Sequence, residues 1–164
     1  AESVTVDSSG NIVVTGKTSG KFDGNTLGGS YDYFIVKYNS SGTRQWANQL
    51  GSNKDDIAYG ITTDSSGNVY VTGYTHGDLD NNTLTNSGYG DLFLVKYNSS
   101  GTKQWTKQLG TSDWDQGNGV TVDSLGDIYV TGYTNDEFDG NTNVGVVGSA
   151  DIFLVKYNAS GVKQ

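Results

Sequence analysis

Carboxylates are the groups in this chain best placed to do chemistry. Its 164 residues carry 18 Asp and Glu against 10 Lys and Arg, a formal net charge of -8, with one histidine, His76, and no cysteine. One histidine excludes a multi-histidine metal centre within a chain, and a Ser-His-Asp triad would rest on a residue with no G-x-S-x-G turn to serve. Without thiols there is no cysteine nucleophile, thiolate zinc site or disulfide framework. No P-loop or G-x-G-x-x-G stretch occurs, so the 24 glycines are read as turn punctuation. The acidic balance argues against nucleic acid, because phosphate contacts need clustered Lys and Arg. Paired loop acids can cleave glycosidic bonds, but among this many surface carboxylates such pairs arise by chance.

Three short kernels concentrate these acids: Phe22-Asp23-Gly24-Asn25-Thr26, Leu79-Asp80-Asn81-Asn82-Thr83 and Phe138-Asp139-Gly140-Asn141-Thr142. Asp78-x-Asp80-x-Asn82 and Glu137-x-Asp139-x-Asn141 present several oxygens along one turn, the donors that Ca²⁺ requires. The EF-hand glycine and downstream bidentate Glu are absent, and the first copy has Lys21 where the others have acids. Asx-turn chemistry is the first expectation and a cation loop the second, with Ca²⁺ the one cofactor in view. A second constellation is aromatic. Trp114, flanked by Asp113 and Asp115, together with Tyr59 and Tyr89, has the makings of a sugar- or peptide-binding surface, against the blander reading of loop anchoring. His76 is read as a solvated loop residue.

Internal repetition decides what positions these groups. VTVDSSGNIVVTG at 4–16 returns as ITTDSSGNVYVTG at 61–73 and VTVDSLGDIYVTG at 120–132. DYFIVKYNSSGTRQW at 32–46 returns at 91–105 and, one residue short of its Trp, at 151–164. Runs of β-branched and aromatic residues between Gly, Asn, Asp and Ser clusters predict four strands per copy, A to D. In the middle copy these are 61–64, 69–75, 92–97 and about 103–109. Strands B and C are apolar on both sides, so each small sheet needs cover on both faces. Short antiparallel units that bury one another are β-propeller blades, here about 1–50, 51–109 and 110–164, the third without its outer strand. Recurring Tyr38, Tyr97, Tyr157, Trp46 and Trp105 are assigned to interblade packing. Lys37, Lys96 and Lys156 are placed at blade edges, stem packed and amine reaching solvent or an acid. The long B–C and D–A loops share one rim, which most of the acids make negative.

The D-S-S-G-N-x-Y-V-T-G core, the x-F-L-V-K-Y-N-S-S-G strand and the K-Q-W-x-x-Q-L-G strand resemble bacterial SBBP β-propeller repeats over essentially the whole chain. The A–B segment is also similar to NHL blades. The resemblance implies an innermost strand A, an outermost strand D, no catalytic residues and an extracellular or cell-surface location. Three blades are too few for an ordinary ring, so copies of the chain, or remaining blades of a larger propeller, are expected as partners. No run of 18 apolar residues offers a membrane span. The leading expectation is a non-enzymatic structural or protein-interaction module. A lectin-like propeller using the acidic face, with calcium assistance, is the alternative, and a carboxylate hydrolase comes third.

Overall fold

The computed structural model describes residues 1–22, 24–80, 89–138, 140 and 149–164, and these form strands and turns with no helix. Strands β1 (Ser3–Val6), β2 (Ile12–Thr18), β3 (Asp32–Tyr38) and β4 (Arg44–Leu50) make one antiparallel sheet in that order. Strands β5 (Asp56–Thr63), β6 (Val69–Thr75), β7 (Asp91–Tyr97) and β8 (Lys103–Leu109) make a second. The third holds β9 (Asp115–Val122), β10 (Ile128–Thr134) and β11 (Asp151–Tyr157). Each β1–β2 type link closes through a glycine with φ between +75° and +86°, while Asp7, Asp64 or Asp123 accepts two backbone N–H bonds across the turn. That turn fixes the register of its hairpin locally.

Two strands differ from expectation. Strand A of the middle copy starts at Asp56 and not at Ile61, and β9 starts correspondingly at Asp115. The register slips between Ala58 and Gly60, so Tyr59 is the extra residue of a β-bulge, and β9 slips at the equivalent place beside Asn118. A bulge breaks the two-residue alternation, so this stretch reads as loop in the sequence although it is strand.

The sheets stack face to face as successive blades of a partial β-propeller, β5 lying against β1 and β2 on one side and β9 on the other. Each junction has its own apolar core. Val13, Tyr33 and Ile35 of the first blade meet Ile61, Val71, Phe93 and Val95 of the second, and Tyr70, Leu92 and Leu94 of the second meet Ile128, Val130, Phe153 and Val155 of the third. Each such side chain fully buried contributes about 2 kcal/mol, so the middle blade is the best supported. Of the recurring aromatics, Tyr97, Tyr157, Trp46 and Trp105 belong to these junctions, whereas Tyr38 is half-buried outside both cores. Tyr97 is buried and hydrogen-bonds Tyr33 through their hydroxyls at 2.9 Å, and Trp46 and Trp105 pack against the two cores. The outward faces of the first and third blades have no such cover among the described residues: Val4 and Val6 are 63% and 59% exposed, Ile152 and Leu154 91% and 71%.

The lysines follow their neighbours. Tyr70 and Tyr129 donate their hydroxyls to Asp64 and Asp123, whereas the first blade has Val13 at that position, and Lys37 takes the place, 2.9 Å from Asp7. Burial pushes the Asp7 carboxyl up, but Asn11, Lys37 and the turn N–H groups outweigh it and hold it at about 2. Lys156 instead pairs with Asp127 at 2.6 Å.

Candidate functional site

The rim bearing the β2–β3 and β4–β5 type connections is held by a repeated carboxamide clasp. Gln49 on β4 donates to Asp32 at 2.8 Å and accepts from the Phe22 N–H at 2.7 Å. Gln108 on β8 does the same for Asp91 and Leu79, both at 3.2 Å. The second Gln of K-Q-W-x-x-Q-L-G thus ties the first residue of strand C to the loop kernel above it. The kernel's apolar residue plugs the blade end: Leu79 is fully buried and Phe138 is 5% exposed, stacked on Phe153 with centroids 4.6 Å apart. Asn25 donates to the Phe22 carbonyl through both its backbone and side-chain nitrogens, closing a tight turn braced by its side-chain amide in place of the Asx-turn expected of the kernel.

The acids of this rim are not all on its surface. Asp32, Asp56, Asp91 and Asp115 are each at most 1% exposed. A Cβ placed on Gly51 would lie 2.3 Å from Asp32 Oδ1 and 2.9 Å from Asp56 Oδ2, so one glycine separates two carboxylates of neighbouring blades. Burial, reinforced by the facing Asp32, raises Asp56 to about 6 even though Thr75 and Ser52 donate to it. Burial likewise raises Asp91 to about 6, with Asp115 and Asp78 adding to it against the Gln108 bond, and raises Asp115. Loop acids read as one exposed negative surface are therefore partly internal, because strands β5 and β9 begin earlier than the pattern suggests and carry Asp56 and Asp115 inside.

Between the second and third blades the rim is aromatic. The Tyr74 ring lies 4.7 Å from Trp114, 5.1 Å from His76 and 6.0 Å from Tyr59, and His76 meets Trp114 edge-on at 5.2 Å. The β5 bulge aims Tyr59 here, and a parallel bridge from Gly90 to Trp114 holds the β8–β9 connection against the start of strand C. Trp114 Nε1 and His76 Nε2 are buried and have no hydrogen-bond partner among the described residues. Loss of hydration keeps the His76 pKa below its ordinary value, with Asp55 opposing, so the ring is neutral at pH 7.

Of the aromatic constellation read from the sequence, Trp114 and Tyr59 come together through Tyr74. Asp113 is half-buried and accepts the Trp114 N–H at 2.7 Å. Tyr89, 74% exposed, precedes Gly90 at the edge of the cluster. Asp115 stands apart, because it is fully buried and accepts from the Thr111 amide and hydroxyl. His76 is not a solvated loop side chain but a packed member of the cluster. Tyr74 and His76 escaped sequence reading because Tyr74 follows a repeated V-T-G and looks like ordinary packing. The cation-loop candidates fare differently. Asp80 turns its carboxylate to Lys103 and Thr106, and Asp78 and Glu137 are exposed, whereas Asn82, Asp139 and Asn141 lie outside the described residues. Among the described residues, no three His, Asp or Glu side chains converge as a metal site would require.

Two segments, 45–80 and 104–139, match the SBBP beta-propeller repeat. Each runs from strand D of one blade into the B–C kernel of the next, so the repeating sequence unit straddles a blade junction. The regulatory protein FlaEY of Caulobacter vibrioides is 27% identical over 162 residues, covering 92% of this chain and 16% of that protein. An uncharacterized WD repeat-containing protein, L264, of Acanthamoeba polyphaga mimivirus is 28% identical over 159 residues, covering 83% of this chain and 11% of that protein. The chain thus spans a small fraction of both relatives' length.

Proposed function

We propose that this chain of SBBP propeller repeats is a non-enzymatic interaction module of a secreted or cell-surface protein, holding a partner polypeptide at the rim between its second and third blades. The observation that carries the reading is the Tyr59, Tyr74, His76 and Trp114 cluster, with two unpartnered ring nitrogens and the exposed Tyr89 beside it. Clustered aromatics with a polar margin are the composition of binding hot spots. Asp113, beside Trp114, favours a basic segment. One relative is named regulatory and the other WD repeat-containing, and both names fit binding better than turnover.

The flat Trp114 ring with Asp113 at its edge also suits a sugar, which stacks through C–H groups and donates hydroxyls to a carboxylate. A lectin-like reading is therefore retained, with Ca²⁺ assistance from the Asp78-x-Asp80-x-Asn82 or Glu137-x-Asp139-x-Asn141 loop. One experiment separates the two: probing an array of basic peptides and a glycan array, each with and without chelator. The interaction reading expects basic peptides to bind regardless of chelator, and Trp114→Ala to weaken them about thirtyfold, the loss typical of a hot-spot residue. Sugar binding abolished by chelator selects the lectin reading. Binding that Trp114→Ala leaves unchanged removes this rim from both.

A further inference from the structure

We infer that the opposite rim, where the hairpin turns of the first and second blades meet, holds a binding site for a neutral saccharide ring, with Trp46 as its platform and Lys37 as the donor beneath it. Two depressions adjoin there. One of about 410 Å³ is lined by Asn11, Lys37, Gln45, Trp46, Ser99 and Ser100. The other, of about 260 Å³, shares Asn11, Lys37 and Ser99 with it and runs between the β1–β2 and β5–β6 turns. The larger falls within the roughly 300–1,000 Å³ of small-molecule sites.

The space exists because the first blade departs from the repeat at one position. At the second junction the Tyr70 ring stands 6.3 Å from Trp105, with the Lys96 ammonium 5.2 Å from its centre and its hydroxyl on Asp64. At the first junction Val13 replaces that tyrosine, and the corresponding neighbours, Trp46, Lys37 and Asp7, line the two depressions. Lys37 turns to Asp7 and restores the missing bond to the carboxylate, but an aliphatic stem does not replace a ring beside Trp46. A cyclic guest bearing hydroxyls stands where the repeat elsewhere places a phenol.

The polar groups decide the chemistry. Asp7 is saturated, because Oδ1 accepts from the Ser9 and Asn11 N–H groups and Oδ2 from the Asn11 amide and Lys37. Lys37 is not. It is 5% exposed, and among the described residues its ammonium meets one acceptor, Asp7 Oδ2 at 2.9 Å, so two of its three N–H groups remain for a guest. The serine hydroxyls around it both donate and accept, which suits a guest whose own oxygens do the same. Lys37 and Asp7 together carry no net charge, so a neutral guest is favoured over phosphate or another anion. Trp46 supplies the flat wall. Its Nε1 donates to the Ser99 carbonyl at 3.1 Å and its ring lies against Gly101, so it is in place before a guest arrives. The electron-rich indole face attracts the C–H groups of a sugar ring.

An array of neutral oligosaccharides, followed by calorimetric titration of the best binder, tests the site on the intact chain. Binding is expected with and without chelator, since no metal enters the site. Val13→Tyr, which restores the residue of the other two blades, should fill the opening and weaken binding about tenfold or more, with an unchanged urea midpoint. Ser99→Tyr, on an exposed turn shared by both depressions, should do the same, and it decides the matter if Val13→Tyr folds poorly. Inorganic phosphate should not compete. Failure to bind any arrayed sugar, binding that survives either closure in a folded variant, or displacement of the sugar by phosphate would each overturn the inference. It is independent of the aromatic rim: Trp114→Ala should leave this binding intact, and Ser99→Tyr should leave basic-peptide binding at Trp114 unchanged.

Discussion

Alanine at Gly73 should destabilise the fold by about 3 kcal/mol, the upper end of what overpacking costs, read as a fall in the urea midpoint with an unchanged slope. The cause is contact and not backbone freedom. Gly73 has no positive φ, yet a Cβ there would sit 1.9 Å from the Ile57 carbonyl oxygen and 2.8 Å from Ala58 Cα. The Tyr59 bulge shifts the β5 backbone over β6 at this point, leaving no room for a methyl group. Gly132 shows the same collision, 1.8 Å from the Gln116 carbonyl oxygen beside the β9 bulge. Since the obstacle is backbone in a paired sheet, it cannot swing away as a side chain would. Two controls separate the causes. Gly24→Ala meets nothing within 4 Å but adopts φ +82°, and should lose about 1 kcal/mol through conformation alone. Gly119→Ala has no positive φ and meets only the Thr131 Cγ2 methyl at 3.3 Å, a side-chain atom that can give, and should lose less than about 1 kcal/mol. If Gly73→Ala unfolds at the wild-type midpoint, the bulge does not press on this strand.

The unfolding free energy should also decline as pH rises from about 4 to about 7, opposite to the usual behaviour of an acidic protein. Asp56 and Asp91 have an ordinary value of 3.8 when unfolded and about 6 in the fold. Below 3.8 both states hold the proton and neither residue costs stability. Between 3.8 and 6 the unfolded chain ionises first, so stability falls, and above 6 the loss is complete. A shift of about two units corresponds to about 3 kcal/mol per residue, an upper figure because Asp56 is coupled to Asp32 and Asp91 to Asp115. Asp7, held at about 2, and the lowered Asp64 and Asp123 act in the other direction. The stability they add is present above the ordinary carboxylate value and lost as pH falls through their folded values. The maximum should therefore lie close to the ordinary carboxylate value of 3.8, where the two opposing effects cross. Asp91→Asn removes the buried charge at nearly constant shape, and should stabilise the chain at pH 7.5 by about three times as much as at pH 4.5. Guanidinium or urea melts at the two pH values decide it, and equal midpoints for wild type at both would refute the assignment.

Both expectations rest on features of very different legibility. V-T-G in three copies announces that a small residue is wanted, and its threonine proves to donate to the strand C carbonyl in each blade, Thr15 to Phe34, Thr72 to Phe93 and Thr131 to Phe153. Nothing in the motif itself says that a neighbouring strand bulges onto the glycine. Strand number, the bounds of β6 and β8, the tight turns and the junction role of Tyr97 and Trp105 could all be read from the sequence. Each follows from contacts between residues close in the chain, or from a pattern repeated three times.

Tertiary structure alone decided which of the acids are charged at a surface and which aromatics meet. Asp113 and Asp115 are two residues apart, but one is at the rim and the other is sealed beneath Thr111, because β9 starts between them. Tyr59, Tyr74, His76 and Trp114 come from two strands and two connections, and their convergence depends on a bulge and on how one blade is set against the next. Local chemistry writes turns and alternation into consecutive residues, whereas a junction between blades is a distance between residues far apart in the chain. The unit of repetition could therefore be seen in advance, and the surface it builds could not.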